Sequence, residues 1–392
     1  MEKSSSNINT MLLLPLISPI AGGLFDITLL WEVLLITKSI FLAGIASSFL
    51  VFPFAFSFIT GSFVDSIRNK KGIIIISRFL SIIIIFFIIL DFLYAKKFNY
   101  IFLIILIFIK GIFNSLGERS YSSLIKYMVS DEYMDKFMSR RLIAYYTGSI
   151  FGYIAGGIII EINFIDNFFI IIFIYIIYII ILGFINTKNI NFNVKPISLG
   201  FFKSSIMYIK ENVIILDLMI TNIINDFAAD MLEPILLYII EIEFKLSAVF
   251  FSIAIIISLI GGIIGSYFSE KIRKNKYILY VVISFIIPVM SILFISKFIF
   301  VIYLSAIAIG ILGSILAVIH NSFTYKFIDK KVIGSIQGFN STMVNTASSF
   351  SGIIIGFLIY SYSLYIGVIF TASIFFLNFI ILIFMKNIKS IK

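Results

Sequence analysis

The stretch GSFVDSIRNKK, residues 61–71, decides how the chain is read. It interrupts an apolar sequence with one carboxylate, Asp65, followed by Arg68, Lys70 and Lys71, and a new apolar segment begins directly after it. Short polar connections that hold cations on the inner face are what join two membrane spans. A second copy, GSYFSEKIRKNK, occupies residues 265–276, 204 positions later, with Gly265 on Gly61. The same offset lays Asp26 on Asp230, Gly148 on Gly352 and Gly152 on Gly356. Landmarks at one spacing over most of the chain predict two homologous halves.

Composition excludes a soluble protein of two domains, the default for 392 residues: 61% of the chain is hydrophobic and 13% charged, with a mean hydropathy of +1.13. There is no cysteine and His320 is the single histidine. Neither disulfides nor a thiolate metal site can form, the single histidine leaves little for zinc or a Ser/His triad, and no cofactor or metal is expected. A net charge of +10 would suggest nucleic acid in a soluble chain; here the placement of the charges accounts for it, and no nucleic-acid partner is expected.

Apolar segments of about 20 residues or more, enough to cross a bilayer, fall at 11–37, 39–60, 72–94, 98–127, 139–161 and 164–186. They resume at 212–240, 246–268, 277–297, 299–327, 333–360 and 362–386. The prediction is an all-α polytopic membrane protein of about twelve transmembrane helices, arranged as two pseudo-symmetric halves of six, residues 1–186 and 212–392, joined by a cytoplasmic linker at 187–211. With the N-terminus inside, 22 of the 30 Lys and Arg residues lie on the cytoplasmic side and 5 outside, while Arg78, Lys110 and Arg119 lie within spans. That asymmetry sets both termini in the cytoplasm. A cleaved leader ending near Ala21-Gly22-Gly23 is not expected, since it would remove a span and break the pairing of Asp26 with Asp230.

Charges at membrane depth cost about 2.5 to 3.5 kcal/mol each even on the lenient insertion scale, so each asks for a reason. Asp26 lies near the middle of the first span. In the seventh, Asn222, Asp226, Asp230 and Glu233 fall within an arc of about 80°, one polar stripe, with Pro234 placed to bend the helix. Lys110, Asn114, Glu118 and Tyr121 share a similar arc in the fourth span, with Arg119 turned away and placed to pair with a loop carboxylate such as Asp65. Gln337, Ser341, Asn345 and Ser348 make a third stripe in the eleventh. Such stripes face each other or water, which predicts a central polar cavity between the halves. An Asp26–Lys110 pair either fixes helix register or tunes a proton-carrying carboxylate. Glu32 and Glu233 read as residues near the outer interface, and His320 as a core histidine with its hydrogen bonds met. Gly148, Gly152 and Gly156, every four residues with Gly157 adjacent, form a smooth strip for close helix approach.

These features resemble the major facilitator superfamily over essentially the whole chain. Gly61, Asp65, Arg68 and Lys70 look like that family's motif between the second and third spans, a gating loop, with Ser66 where an arginine is usual. The fifth-span glycines look like the motif typical of the exporter branch, with Tyr153 in place of its proline. Lys110 stands roughly where drug/proton antiporters carry an arginine implicated in coupling. The flow of the sequence is most similar to macrolide-efflux-like permeases. The resemblance implies alternating access between two halves, a small-molecule substrate, protons as the coupling ion, membrane lipids as surroundings, the cell membrane as location and a monomer as the working unit.

No phosphate-cradling GxxxxGK[ST] loop occurs, so the energy source is a gradient. The expectation is a proton-coupled exporter of a lipophilic small molecule such as a drug, antibiotic, siderophore or peptide-like compound. Asp26 and Asp230 would exchange protons, within a proton-coupling and substrate cavity built from Asp26, Lys110, Asn114, Glu118, Asn222, Asp226, Asp230, Gln337 and Asn345. The carboxylates outnumber the cations in that inventory, which favours a neutral or cationic substrate with cation-π contacts. The alternatives are a nutrient importer of the same fold and a non-transporting membrane immunity or sensor protein. An enzyme is not expected, as no HExxH, GxSxG or GxGD constellation appears.

Overall fold

The structure, a computed structural model, describes residues 2–94, 99–129, 131–187, 200–271, 276–328 and 333–385. Every regular element among them is helical. The first part of the chain contains α1 (Glu2–Thr37), α2 (Ile40–Ala55), α3 (Ser57–Asp65), α4 (Lys70–Tyr94), α5 (Tyr100–Met128) and α6 (Asp131–Phe184). Then follow α7 (Gly200–Glu211), α8 (Val213–Ala229), α9 (Leu232–Tyr238), a π-turn at Ile239–Glu243, α10 (Ala248–Lys271) and α11 (Lys276–Ile292). A 3-10 turn at Leu293–Ile295, α12 (Ile299–Phe327), α13 (Ile333–Ser348), α14 (Ser351–Ser361) and α15 (Leu364–Phe384) complete it. In hydrocarbon the backbone must satisfy its own hydrogen bonds, and helices do this within one segment.

Ten helical stretches among the described residues are long and apolar enough to cross a membrane. Two irregularities reconcile these with twelve crossings. The 54 residues of α6 contain two, divided at Asn163, whose φ of −162° and ψ of 108° leave the helical region. Its side chain accepts from Ile165 N at 3.2 Å and so starts the second arm. The seventh crossing is split instead into α8 and α9. Pro234 has no N–H for the carbonyl one turn earlier, and the helix opens at Asp230 and Met231. Asp230 and Met231 keep right-handed backbone angles, so the helix loosens there as Pro234 predicts, and a widened turn follows at Ile239–Glu243.

The linker is not wholly irregular. Its residues 188–199 lie outside the described residues, but 200–211 form α7, which lays Ile209 against Ile215 and Met219 of α8 and Ile336 and Phe339 of α13. The stretch 61–71 is shorter as a loop than expected. Gly61 and Asp65 belong to α3 and Lys70 opens α4, leaving only 66–69 between. Gly61 costs the helix about 1 kcal/mol relative to alanine, and α3 nevertheless continues through it to Asp65. In the second copy, residues 272–275 lie outside the described residues.

The chain divides into two compact units, Met1–Glu32 with Phe52–Ser198, and Val33–Val51 with Leu199–Lys392. In the first, Met11 and Leu14 of α1, Ile74 of α4, Tyr121 and Leu124 of α5, and Tyr178 and Leu182 of α6 form a buried cluster. Close approach of α6 to α1 depends on small residues. A methyl group at Gly148 would overlap the Leu16 carbonyl, and one at Gly152 would lie 2.5 Å from the Ile20 carbonyl oxygen. Gly156 faces Ile27, and Gly157 is buried beside it. In the second unit, Leu218, Tyr280, Ile283, Ile319, Phe323 and Phe375 centre the core. Residues 33–51 join this unit because Gly44 meets Gly352 backbone to backbone and Ser48 Oγ accepts from Ile353 N at 2.9 Å.

Candidate functional site

In the first unit a cavity of about 280 Å³ opens between α1, α4, α5 and α6. Its polar wall centres on Arg78, which is 2% exposed. The guanidinium donates from Nη1 to Asn114 Oδ1 at 3.0 Å and from Nη2 to Ser18 Oγ at 3.0 Å. Nη2 also reaches Glu118 Oε1 at 3.4 Å. The other oxygen of Glu118 lies 3.7 Å from Arg141 Nη2, so one carboxylate is shared by two guanidinium groups. Both cations rest on aromatic faces. Arg78 lies 5.2 Å from the Tyr175 centroid and 4.8 Å from that of Tyr178, and Arg141 lies 5.4 Å from that of Tyr121. Such cation-π contacts partly replace the water a buried guanidinium has lost. Tyr121 is itself fixed, donating its hydroxyl to the Met11 carbonyl at 2.7 Å. Leu14, Pro15, Pro19 and Phe54 supply the apolar wall.

The structure thus gathers Asn114 and Glu118, which share one helix face, around Arg78, a residue that lies on none of the polar stripes. Arg78 was visible as a cation inside a span, which is the signal that marks it. Arg141 reads as the cytoplasmic flank of the fifth span; α6 begins at Asp131, so Arg141 sits roughly 15 Å along the helix, where it reaches the cavity wall. Tyr175 and Tyr178 share a face at a three-residue spacing and carry no signal within an Ile, Phe and Tyr run. Within this unit the cavity wall holds two cations, Arg78 and Arg141, and one carboxylate, Glu118.

Lys110, 4% exposed, points elsewhere, its Nζ 3.4 Å from the centroid of the Phe25 ring. It is close enough to interact electrostatically with half-buried Asp26, but the expected Asp26–Lys110 ion pair does not form within 4 Å. The Phe25 ring takes that place. Nor does Arg119 pair with Asp65 within 4 Å; half-buried Arg119 instead feels the charge of adjacent Glu118.

Of the loop residues, Asp65 and Arg68 are exposed while Lys70 is 1% exposed and donates to the Val64 carbonyl near the end of α3. Lys71 donates to the carbonyls of Gly183 and Ile185 at 2.8 and 2.7 Å, where α6 ends. Cations at helix C-termini satisfy carbonyls that the helix leaves open.

In the second unit, half-buried Asp226 on α8 accepts from Asn222 at 3.3 Å and Asn225 at 3.4 Å. Asp230, at the α8–α9 turn, lies beside Ser348 at the end of α13 and close enough for its charge to act on Asp226. Gln337 is half-buried on α13, and Asn345 turns back to donate to the Ser341 carbonyl at 2.6 Å. Glu32 is 6% exposed, packed within the protein five residues before the end of α1 at Thr37. His320 is 3% exposed, with Tyr280 OH and Thr324 Oγ1 each 3.4 Å from one of its ring nitrogens.

The family model described as Major Facilitator Superfamily matches residues 6–352. Among solved structures the chain is similar to the nucleoside transporter NupG, at 14% identity and a TM-score of 0.74, covering 96% of this chain and 98% of that one. It is likewise similar to a POT family transporter solved in complex with a thioalcohol-conjugated peptide, at 14% identity and a TM-score of 0.75, covering 96% and 95%. The E. coli fucose:proton symporter FucP aligns at 14% identity with a TM-score of 0.63, covering 96% and 98%. No curated protein matches in sequence.

Proposed function

The chain belongs to the Major Facilitator Superfamily of membrane transporters, and on that footing we propose that it exports a lipophilic small molecule in exchange for protons by alternating access. The observation that carries the reading is the placement of carboxylates at membrane depth in each unit: Asp26 on α1, and Asp226 with Asp230 at the proline-associated turn between α8 and α9. A loosened turn frees the Asp230 carbonyl that Pro234 cannot bond, which adds a polar group beside these carboxylates. Asp26 and Asp230 carry the exchanged protons, and Asn114 and Glu118 belong to the substrate cavity. The cation bias of the connecting segments supports a cell-membrane orientation with both termini cytoplasmic. That orientation puts the Arg78 cavity in the cytoplasmic half of its unit, where an exporter loads. The working unit is a monomer of two halves joined by the segment that contains α7.

The test uses inverted membrane vesicles energised with a pH gradient and a fluorescent lipophilic substrate. Accumulation is expected with the unaltered chain and is lost in the Asp26→Asn, Asp230→Asn double variant at equal protein level. Equal accumulation by the double variant removes these carboxylates from coupling.

A further inference from the structure

The geometry points to the Arg78–Arg141 cavity as a binding site for the carboxylate of an amphipathic organic anion, with Glu118 the resident counter-ion that such a ligand displaces. The inference rests on the transporter reading above and names the chemical class its substrate belongs to.

Two guanidinium groups share one carboxylate in this cavity, and both contacts are long, at 3.4 and 3.7 Å. A well-made charge-assisted hydrogen bond runs about 2.7 to 2.9 Å. Neither arginine is therefore saturated by Glu118. Arg78 Nε is buried with no hydrogen-bond partner, although the group is nearly inaccessible and an unmade bond there is costly. The two partners differ in mobility as well. Arg78 is held by Ser18, Asn114 and two tyrosine faces. Glu118 is 41% exposed and, among the described residues, is held by the two cations. Arg78 is fixed, Arg141 rests on the Tyr121 ring, and their shared counter-ion is the adjustable part, which is the arrangement that lets an incoming carboxylate take its place.

The rest of the wall sets the ligand's body. Leu14, Pro15, Pro19 and Phe54 are apolar, and Tyr145 adds an exposed ring. At about 280 Å³ the space lies just below the usual range of small-molecule pockets, which starts near 300 Å³. It suits one aromatic or branched aliphatic body attached to one acid group. A cationic ligand would meet two guanidiniums at close range, and an uncharged one would leave the arginines as they are.

The experiment measures thermal unfolding of the purified full chain in detergent with three matched probes: 4-phenylbutyrate, its amide, and 4-phenylbutylamine. The carboxylate is expected to raise the midpoint in a concentration-dependent manner, and the amide and amine to leave it unchanged. Glu118→Gln removes the competing carboxylate and should lower the half-saturating concentration of 4-phenylbutyrate about tenfold. Arg78→Gln should abolish the response. Because Arg78→Gln also risks the fold, the gain in Glu118→Gln is decisive, since a damaged protein does not bind more tightly. Stabilisation by the amine, silence with all three probes, or an unchanged or weaker response in Glu118→Gln overturns the anion site. Binding requires no gradient, so a carboxylate response without proton movement leaves this site standing and removes the antiport reading. Proton movement evoked by the amine alone does the reverse.

Discussion

Arg78 and Glu118 form an ion pair at 3.4 Å in which the cation is 3% exposed and the carboxylate 41%. A fixed buried charge thus faces a counter-ion that water reaches, and the two sides of the pair should respond unequally to mutation. Arg78→Ala removes two short hydrogen bonds and two ring contacts, a loss of about 3 kcal/mol. Glu118→Gln keeps the shape of the side chain and gives up a long, half-exposed pair worth about 1 kcal/mol or less. Thermal unfolding in one detergent compares them directly, and equal losses would mean that the pair itself, not the cage around Arg78, stabilises the unit.

The glycines of α6 divide sharply from that of α3. A methyl at Gly148 overlaps the Leu16 carbonyl, whereas one at Gly61 meets nothing within 4 Å. Gly148→Ala should cost about 1 to 3 kcal/mol through overpacking, with Gly148→Leu failing to give folded protein. Gly61→Ala should be neutral or slightly stabilising, since alanine is the better helix former. Size-exclusion profiles and unfolding midpoints of the three variants check this.

His320 is a packing residue in this account, held between Tyr280 and Thr324. His320→Gln should lower stability by about 1 to 2 kcal/mol through imperfect replacement of those bonds and leave the pH profile of transport where it was. A displaced profile would make the imidazole part of the proton path.

The orientation is open to a direct check because the chain contains no cysteine. Single cysteines at Asn69→Cys and Lys297→Cys report opposite sides. In intact cells a membrane-impermeant maleimide should label the cysteine at position 297 and reach the one at 69 only after permeabilisation. The reverse pattern would invert the topology.

Much of the fold was legible because the bilayer imposes so few choices. Segment length gave the crossings, while the direction that cation placement implies awaits the labelling test above. What escaped were features decided by local chemistry. The loop at 61–71 shrank because α3 runs through Gly61, and the α6 crossings run on with only Asn163 between them. In the site, Asn114 and Glu118 were found by periodicity, since they lie one turn apart on one helix. Arg78, Arg141, Tyr175 and Tyr178 come from two other helices, and no spacing along one segment brings them together. Lys110 was paired with Asp26 on charge alone, whereas the folded chain sets it against the Phe25 ring, a contact that sequence periodicity does not encode.

The measurement that bears most directly on the central claim is substrate-evoked proton movement in proteoliposomes, followed with a pH-sensitive dye. Lipophilic compounds are added to the unaltered chain and to the Asp26→Asn, Asp230→Asn variant reconstituted at the same density. Exchange across Asp26 and Asp230 predicts proton release on substrate addition with the unaltered chain and none with the variant. Substrate movement that carries no protons, or proton release that survives in the variant, would contradict it.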